Sequence, residues 1–170
     1  MSLPSRIVRM AAMTAVTVGL LLGLGACQFQ TLQRYNPADG VNVDVGSVKV
    51  RNVSVLVTAA GQGVLSGTVT ADNAERLTSV NGVALLPDGS PGSQLQSAMP
   101  EPVEIPAKTP VVLTDINPIR LTGSDLKAGQ LARITFTFAG GGSTEVTVPV
   151  LDKNSPEYVD LKIGSSSTPA

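Results

Sequence analysis

Two pairs of carboxylates lie close enough in the chain to act together: Glu101 with Glu104, and Asp72 with Glu75. Glycoside hydrolysis uses such a pair, one group protonating the leaving oxygen while the other serves as base or nucleophile. Both pairs fall in polar sequence of loop character, where carboxylates are solvated, and the chain has no tryptophan to stack against a sugar. Histidine is also absent, which removes the commonest general base and the commonest metal ligand together. A serine nucleophile would therefore need a lysine base, drawn from Lys49, Lys108, Lys127, Lys153 or Lys162, and no such pair is expected. No Asp-x-Asp-x-Asp-Gly run offers calcium a compact loop of oxygens. Gly140-Gly141-Gly142 could suggest a phosphate cradle, but such a loop joins a strand to a helix, whereas both flanks here alternate as strands do. These patterns predict a non-enzymatic protein with no catalytic residue, no metal site and no cofactor.

The one cysteine carries a different chemistry. Arg6 and Arg9 precede an apolar run from Met10 to Leu24, and Leu24-Gly25-Ala26-Cys27 follows. That order is the order of an export signal, and the tetrapeptide is a lipobox. Small residues before Cys27 give a signal peptidase access to the bond, and the Cys27 thiol would be alkylated with diacylglycerol. Two or three acyl chains hold stably where one does not, at about 0.8 kcal/mol per buried CH₂. A plain transmembrane helix is the competing reading of the apolar run, and the change to polar sequence after Cys27 disfavours it. The expected location is the extracytoplasmic face of the cell membrane, with membrane lipid as the partner of Cys27.

The division that follows is a signal peptide over 1–26, a lipidated tether over 27–40, a folded domain over 41–163 and a disordered tail over 164–170. Removing the signal takes away two arginines and no acid, so the 12 basic and 13 acidic residues become 10 and 13, a net charge of −3. Charges occur singly and not in a basic patch, which excludes nucleic acid as a partner. With one cysteine there is no intramolecular disulfide, and the core must hold by packing alone.

From Val41 the apolar residues recur with a period near two, the signature of half-buried strands. Val48 and Val50 share one phase and Val53, Val55 and Val57 the next, so the slip at Arg51-Asn52 predicts a bulge. Leu65 to Ala71 alternates. Ala132, Ile134, Phe136 and Phe138, then Val146, Val148 and Val150, predict a hairpin closed by Gly140-Gly141-Gly142-Ser143, with both phenylalanines in the core. Turn signals stand at Asp39-Gly40, Ala60-Gly61, Asn81-Gly82, Asp88-Gly89, Gly123 and Ala128-Gly129. Leu77 to Val80, Val83 to Leu86, Val103 to Ile105, Val111 to Leu113 and Ile119 to Leu121 are shorter strand candidates, and the span from Pro87 to Pro110 otherwise reads largely as loop. Seven to eight short strands so punctuated predict an all-β fold, an antiparallel β-sandwich of cupredoxin or immunoglobulin type. Tyr35, Tyr158 and Arg120 are the candidate exposed anchors for a partner.

Several short motifs resemble the PCuAC copper-chaperone domain: Glu75 to Val80, Val103-Glu104-Ile105-Pro106-Ala107, Leu121-Thr122-Gly123 to Gln130, and the hairpin from Phe136 to Val150. The run Tyr35-Asn36-Pro37-Ala38-Asp39-Gly40-Val41-Asn42 is similar to that of actinobacterial lipoproteins in the LpqE-like branch of this family. The likeness spans Tyr35 to Val150. It implies a cupredoxin-like sandwich. Copper-binding members hold Cu(I) with histidine and methionine, the thioether suiting a soft ion. The places of their His-x-Met are taken here by Pro118 and Arg120, and Met99 is the only methionine beyond the signal. The lipoprotein branch implies instead an accessory subunit of the respiratory cytochrome supercomplex. The alternative is a copper or redox-related chaperone with a non-standard site built from Met99 and carboxylates.

Overall fold

A computed structural model of the chain describes residues 39–115, 117–140 and 142–164. Its strands, in chain order, are β1 (Val41–Val45), β2 (Val48–Ala59), β3 (Gln62–Ala71), β4 (Glu75–Leu85), β5 (Pro91–Ala98), β6 (Val103–Ile105), β7 (Val111–Val112), β8 (Arg120–Thr122), β9 (Leu131–Phe138) and β10 (Ser143–Asp152). The signal peptide, the lipobox with Cys27, the tether through residue 38, Tyr35 and residues 165–170 lie outside the described residues.

Strands β2, β10, β9, β4, β5, β8 and β3 follow one another as hydrogen-bonded neighbours, and β3 returns to β2, so seven strands close on themselves. Closure leaves no edge along that wall. Three short strands are appended to it: β1 on β2, β6 on β4 and β7 on β3. Pairing is antiparallel throughout except between β10 and β2, which run parallel at Val150↔Val55 to Asp152↔Val57. The expected all-β class is therefore present, with ten strands among the described residues against the seven to eight expected.

The inward phase of each strand fills the interior. Val48, Val50, Val53 and Val55 are all fully or almost fully buried, at 0–2% exposure, although the first two and the last two belong to opposite phases. The bulge between Arg51 and Ser54 reconciles them, with Asn52 at φ 53° taking up the extra residue. A one-residue slip otherwise turns every following side chain to the other face. Phe136 and Phe138 join this core as expected, with Ile134, Leu77, Leu121 and Val148 around them.

Two expectations fail. Asn81-Gly82 is not a turn but the middle of β4. Glycine is required there by crowding: a Cβ on Gly82 would stand 2.9 Å from the Arg133 carbonyl oxygen and 2.9 Å from Ile134 Cδ1. The span from Pro87 to Pro110 is not mainly loop either, since besides β6, where a short strand was expected, it contains β5. In β5 only Leu95 is buried, with exposed Gln94 and Gln96 beside it, so one apolar residue gave no period to read.

Candidate functional site

The carboxylates that stood out in the sequence are separated by the fold into two different roles. Asp72 and Glu75 are structural. Asp72 lies 3.7 Å from the Lys49 ammonium, and Glu75 Oε1 accepts from the backbone N–H of Gly140 at 3.1 Å and of Arg76 at 2.8 Å, tying the β9–β10 turn to the start of β4. Glu101 and Glu104 instead line a cleft of about 420 Å³, and the turn after β7 adds a third acid, Asp115.

This cleft lies between β6 and β7, whose pairing explains its shape. Arg76 accepts through its carbonyl from Ala139 on the β9 side, so in an antiparallel ladder its neighbours Glu75 and Leu77 bond to β6. Their partners are Ile105 and Val103. Glu104, between them, turns its own N–H and C=O away from β4. On the opposite wall Leu113 donates to the Gly67 carbonyl of β3, so Val112 turns its N–H away from that strand. Val112 O is capped by the Asp115 N–H at 3.3 Å. The floor is apolar, with Val103 and Val111 packed on the core, while Val112 is 39% exposed. Between β6 and β7, Ala107 bridges Ala71 and the Lys108 N–H donates to the Ala71 carbonyl, tying that connection to the end of β3. Of the three acids, Glu104 is engaged by Arg76 Nε at 2.6 Å, and neither Glu101 nor Asp115 has an ion-pair partner among the described residues.

A second groove, of about 480 Å³, opens where β5 leaves β4, and is lined by Ser79, Asn81, Gln94, Gln96 and Met99 among others. It is neutral and polar. Ser97 Oγ, also on its lining, is buried without a hydrogen-bond partner. Arg120 is exposed on β8 between Ala98 and Val64, and Pro118 just before it is buried. Gly140 and Gly142 lie between β9 and β10, with the Phe138 N–H on the Gly142 carbonyl at 2.8 Å, where the sequence suggested a hairpin connection; Gly141 lies outside the described residues.

Ser124-Asp125-Leu126-Lys127 carries a Ser-x-x-Lys spacing that the expectation of no Ser-Lys pair passed over. Its geometry is not that of a nucleophile and base. No helix brings the two residues to one face; Ser124 and Lys127 are both exposed, and Leu126 between them is 1% exposed and part of the core. Asp125 is fixed to Ser93, accepting its N–H at 2.8 Å and donating to its hydroxyl at 3.0 Å. Tyr158 donates its hydroxyl to Asp39 across the start of the domain. Burial, and then that carboxylate, push its phenol up to about 12.

No protein-family model matches the chain, and no curated protein matches it. Solved structures do. The copper-bound PCuAC domain from PmoF2 is similar at a TM-score of 0.50 and 17% identity, covering 66% of this chain and 98% of that domain. The apo PCuAC domain from PmoF1 gives 0.47 at 17% identity over 65% and 98%, and the apo PmoF2 domain 0.46 at 16% over 68% and 98%. At such identity the likeness shows the fold, and the expected cupredoxin or immunoglobulin-like β architecture is the one observed.

The residues present do not fit a Cu(I) ion. At the two positions to which the sequence resemblance points, Pro118 is buried and its side chain has no ligand atom, and Arg120 is an exposed permanent cation. Met99 is the only sulfur among the described residues, and it lines the neutral groove while Glu101 and Glu104 line the cleft. Among the described residues no group of three or more His, Cys, Asp or Glu converges as a metal site would require.

Proposed function

We propose that this chain is a lipid-anchored, extracytoplasmic binding module without enzymatic activity, acting as an accessory to a membrane protein complex. The sequence resemblance to actinobacterial lipoproteins points to the respiratory cytochrome supercomplex as that partner. The observation that carries the reading is the kind of concavity the domain offers: an apolar floor with strand edges and carboxylates around it, and, among the described residues, no group of three or more metal-ligating side chains. That is a surface suited to docking and unsuited to turnover. Anchoring through Cys27 would confine the domain beside membrane partners and raise its effective concentration, so a modest interface suffices.

Affinity purification of the tagged chain from mildly solubilised membranes, with mass spectrometry and a visible spectrum of the eluate, tests this. Haem proteins enriched over a mock preparation are expected, and Cys27→Ala should release the chain from membranes and deplete them. A colourless eluate without a membrane complex sinks the reading. The copper-chaperone alternative would need Met99 and the cleft carboxylates to meet. Anaerobic Cu(I) titration weaker than micromolar removes it.

A further inference from the structure

We propose that the cleft between β6 and β7 receives an extended, basic segment of the partner protein, which adds a strand there. The inference rests on the binding-module reading above and names what the module binds.

Three observations converge. First, the backbone groups of Glu104 and the N–H of Val112 point away from the strands that pair with β6 and β7, which leaves two short strand edges on the walls of one cleft. An exposed strand edge is a template for another chain, and main-chain hydrogen bonds then provide affinity while alternate side chains provide specificity. Second, those alternate side chains have a floor to meet, in the core-packed Val103 and Val111 and the half-exposed Val112. Third, the charged residues that line the cleft are all acids. Glu101 and Asp115 have no ion-pair partner among the described residues, and only Glu104 is neutralised, by Arg76. Charge complementarity selects an occupant carrying Lys or Arg on the residues that point outward and small apolar side chains on those that point down. An acidic or neutral segment would leave the two free carboxylates uncompensated on binding.

The test uses the full chain purified in mild detergent and three end-blocked hexapeptides: alternating Lys and Val, alternating Glu and Val, and the Lys-Val peptide N-methylated at alternate nitrogens. Fluorescence anisotropy reads affinity, and amide chemical shifts read the place. The expected result is binding of the Lys-Val peptide with shifts at Val103, Glu104, Val111 and Val112, and weakening by roughly ten-fold or more for each of the other two peptides. Glu101→Lys with Asp115→Lys should reverse the preference; if that variant does not fold, Glu101→Gln with Asp115→Asn should weaken binding a few-fold. Equal affinity for all three peptides, no binding, or shifts confined to other strands overturns the proposal. The same charge-reversed chain in the membrane purification separates the two readings. Undiminished recovery of the complex removes the cleft proposal and leaves the accessory role standing, whereas peptide binding without any recovered complex removes the accessory role alone.

Discussion

The β2 strand and the β6–β7 cleft are both places where the sheet changes partners, and the chain treats them in opposite ways. Along β2 the outer neighbour changes from β1 to β10 at the bulge after Arg51. That junction is stitched by side chains: Asn52 Oδ1 accepts the Gly40 N–H at 2.8 Å, Asn42 Oδ1 accepts the Asn52 N–H at 2.8 Å, and Arg51 donates to the carbonyls of Val43 and Val50 while pairing with Asp44. Hydrogen bonding to Arg51 holds the Asp44 carboxyl below its ordinary value. At the cleft, β4 changes from β6 to β5 and β3 from β7 to β8. There no comparable set of side chains reaches across from β6 to β7 among the described residues. A junction closed by its own amides and guanidinium is finished; one left with strand edges and free carboxylates is open to something else.

The comparison can be broken most severely from the interior that both regions share. Phe136→Ala should cost about 3–5 kcal/mol, because Phe136 is fully buried and its removal leaves a cavity in the core, and chemical denaturation measures it. A loss below about 1 kcal/mol would mean that the packing around β9 is not as described. The stitched junction should come next. Asn52→Ala removes the acceptor for Gly40 and places a Cβ residue at positive φ without a local hydrogen bond, for about 2 kcal/mol in all. Asn52→Gly keeps the backbone conformation easy and should recover about half of that. The open region should be nearly silent: Glu101→Gln or Val112→Thr is expected to change stability by about 0.5 kcal/mol or less. Equal losses at the two junctions would erase the contrast.

How much of this could be read in advance depended on whether a strand carried more than one apolar side chain to the core. The valines of β2 announced both their phases and the bulge between them, and Phe136 and Phe138 announced the last hairpin. Leu95 alone could not announce β5. The parallel pairing of β10 with β2 was invisible because strand alternation is the same for either direction. At the cleft, Glu101 and Glu104 were legible as a pair, but Asp115 joins them only because β7 pairs with β3 more than forty residues away in sequence. The carboxylates also looked merely solvated, since a strand edge turned toward them is a property of pairing and leaves no mark on the residue types.

The smallest effect is the most specific to the stitched side. Asp39 precedes β1 and accepts the Tyr158 hydroxyl, while Lys153 Nζ donates to the carbonyls of Tyr158 and Val159 at 2.6 and 2.8 Å, so the segment after β10 is pinned beside the start of the domain. The phenol is raised from 10.0 to about 12, by burial first and by Asp39 second. A proton held more tightly by the folded state stabilises fully below pH 10, and that contribution is lost as pH rises from 10 through 12. Absorbance titration of the phenolate in a Tyr35→Phe background should therefore ionise late. Asp39→Asn should bring the midpoint down while leaving it above the ordinary tyrosine value, because burial remains when the carboxylate is gone. Stability at neutral pH should move by about 0.5 kcal/mol or less in that variant, as for other exposed polar pairs. A midpoint unchanged by Asp39→Asn would show that the segment after β10 is not held to the entrance of β1, and the contrast between a stitched side and an open cleft would then rest on Asn52 and Arg51 alone.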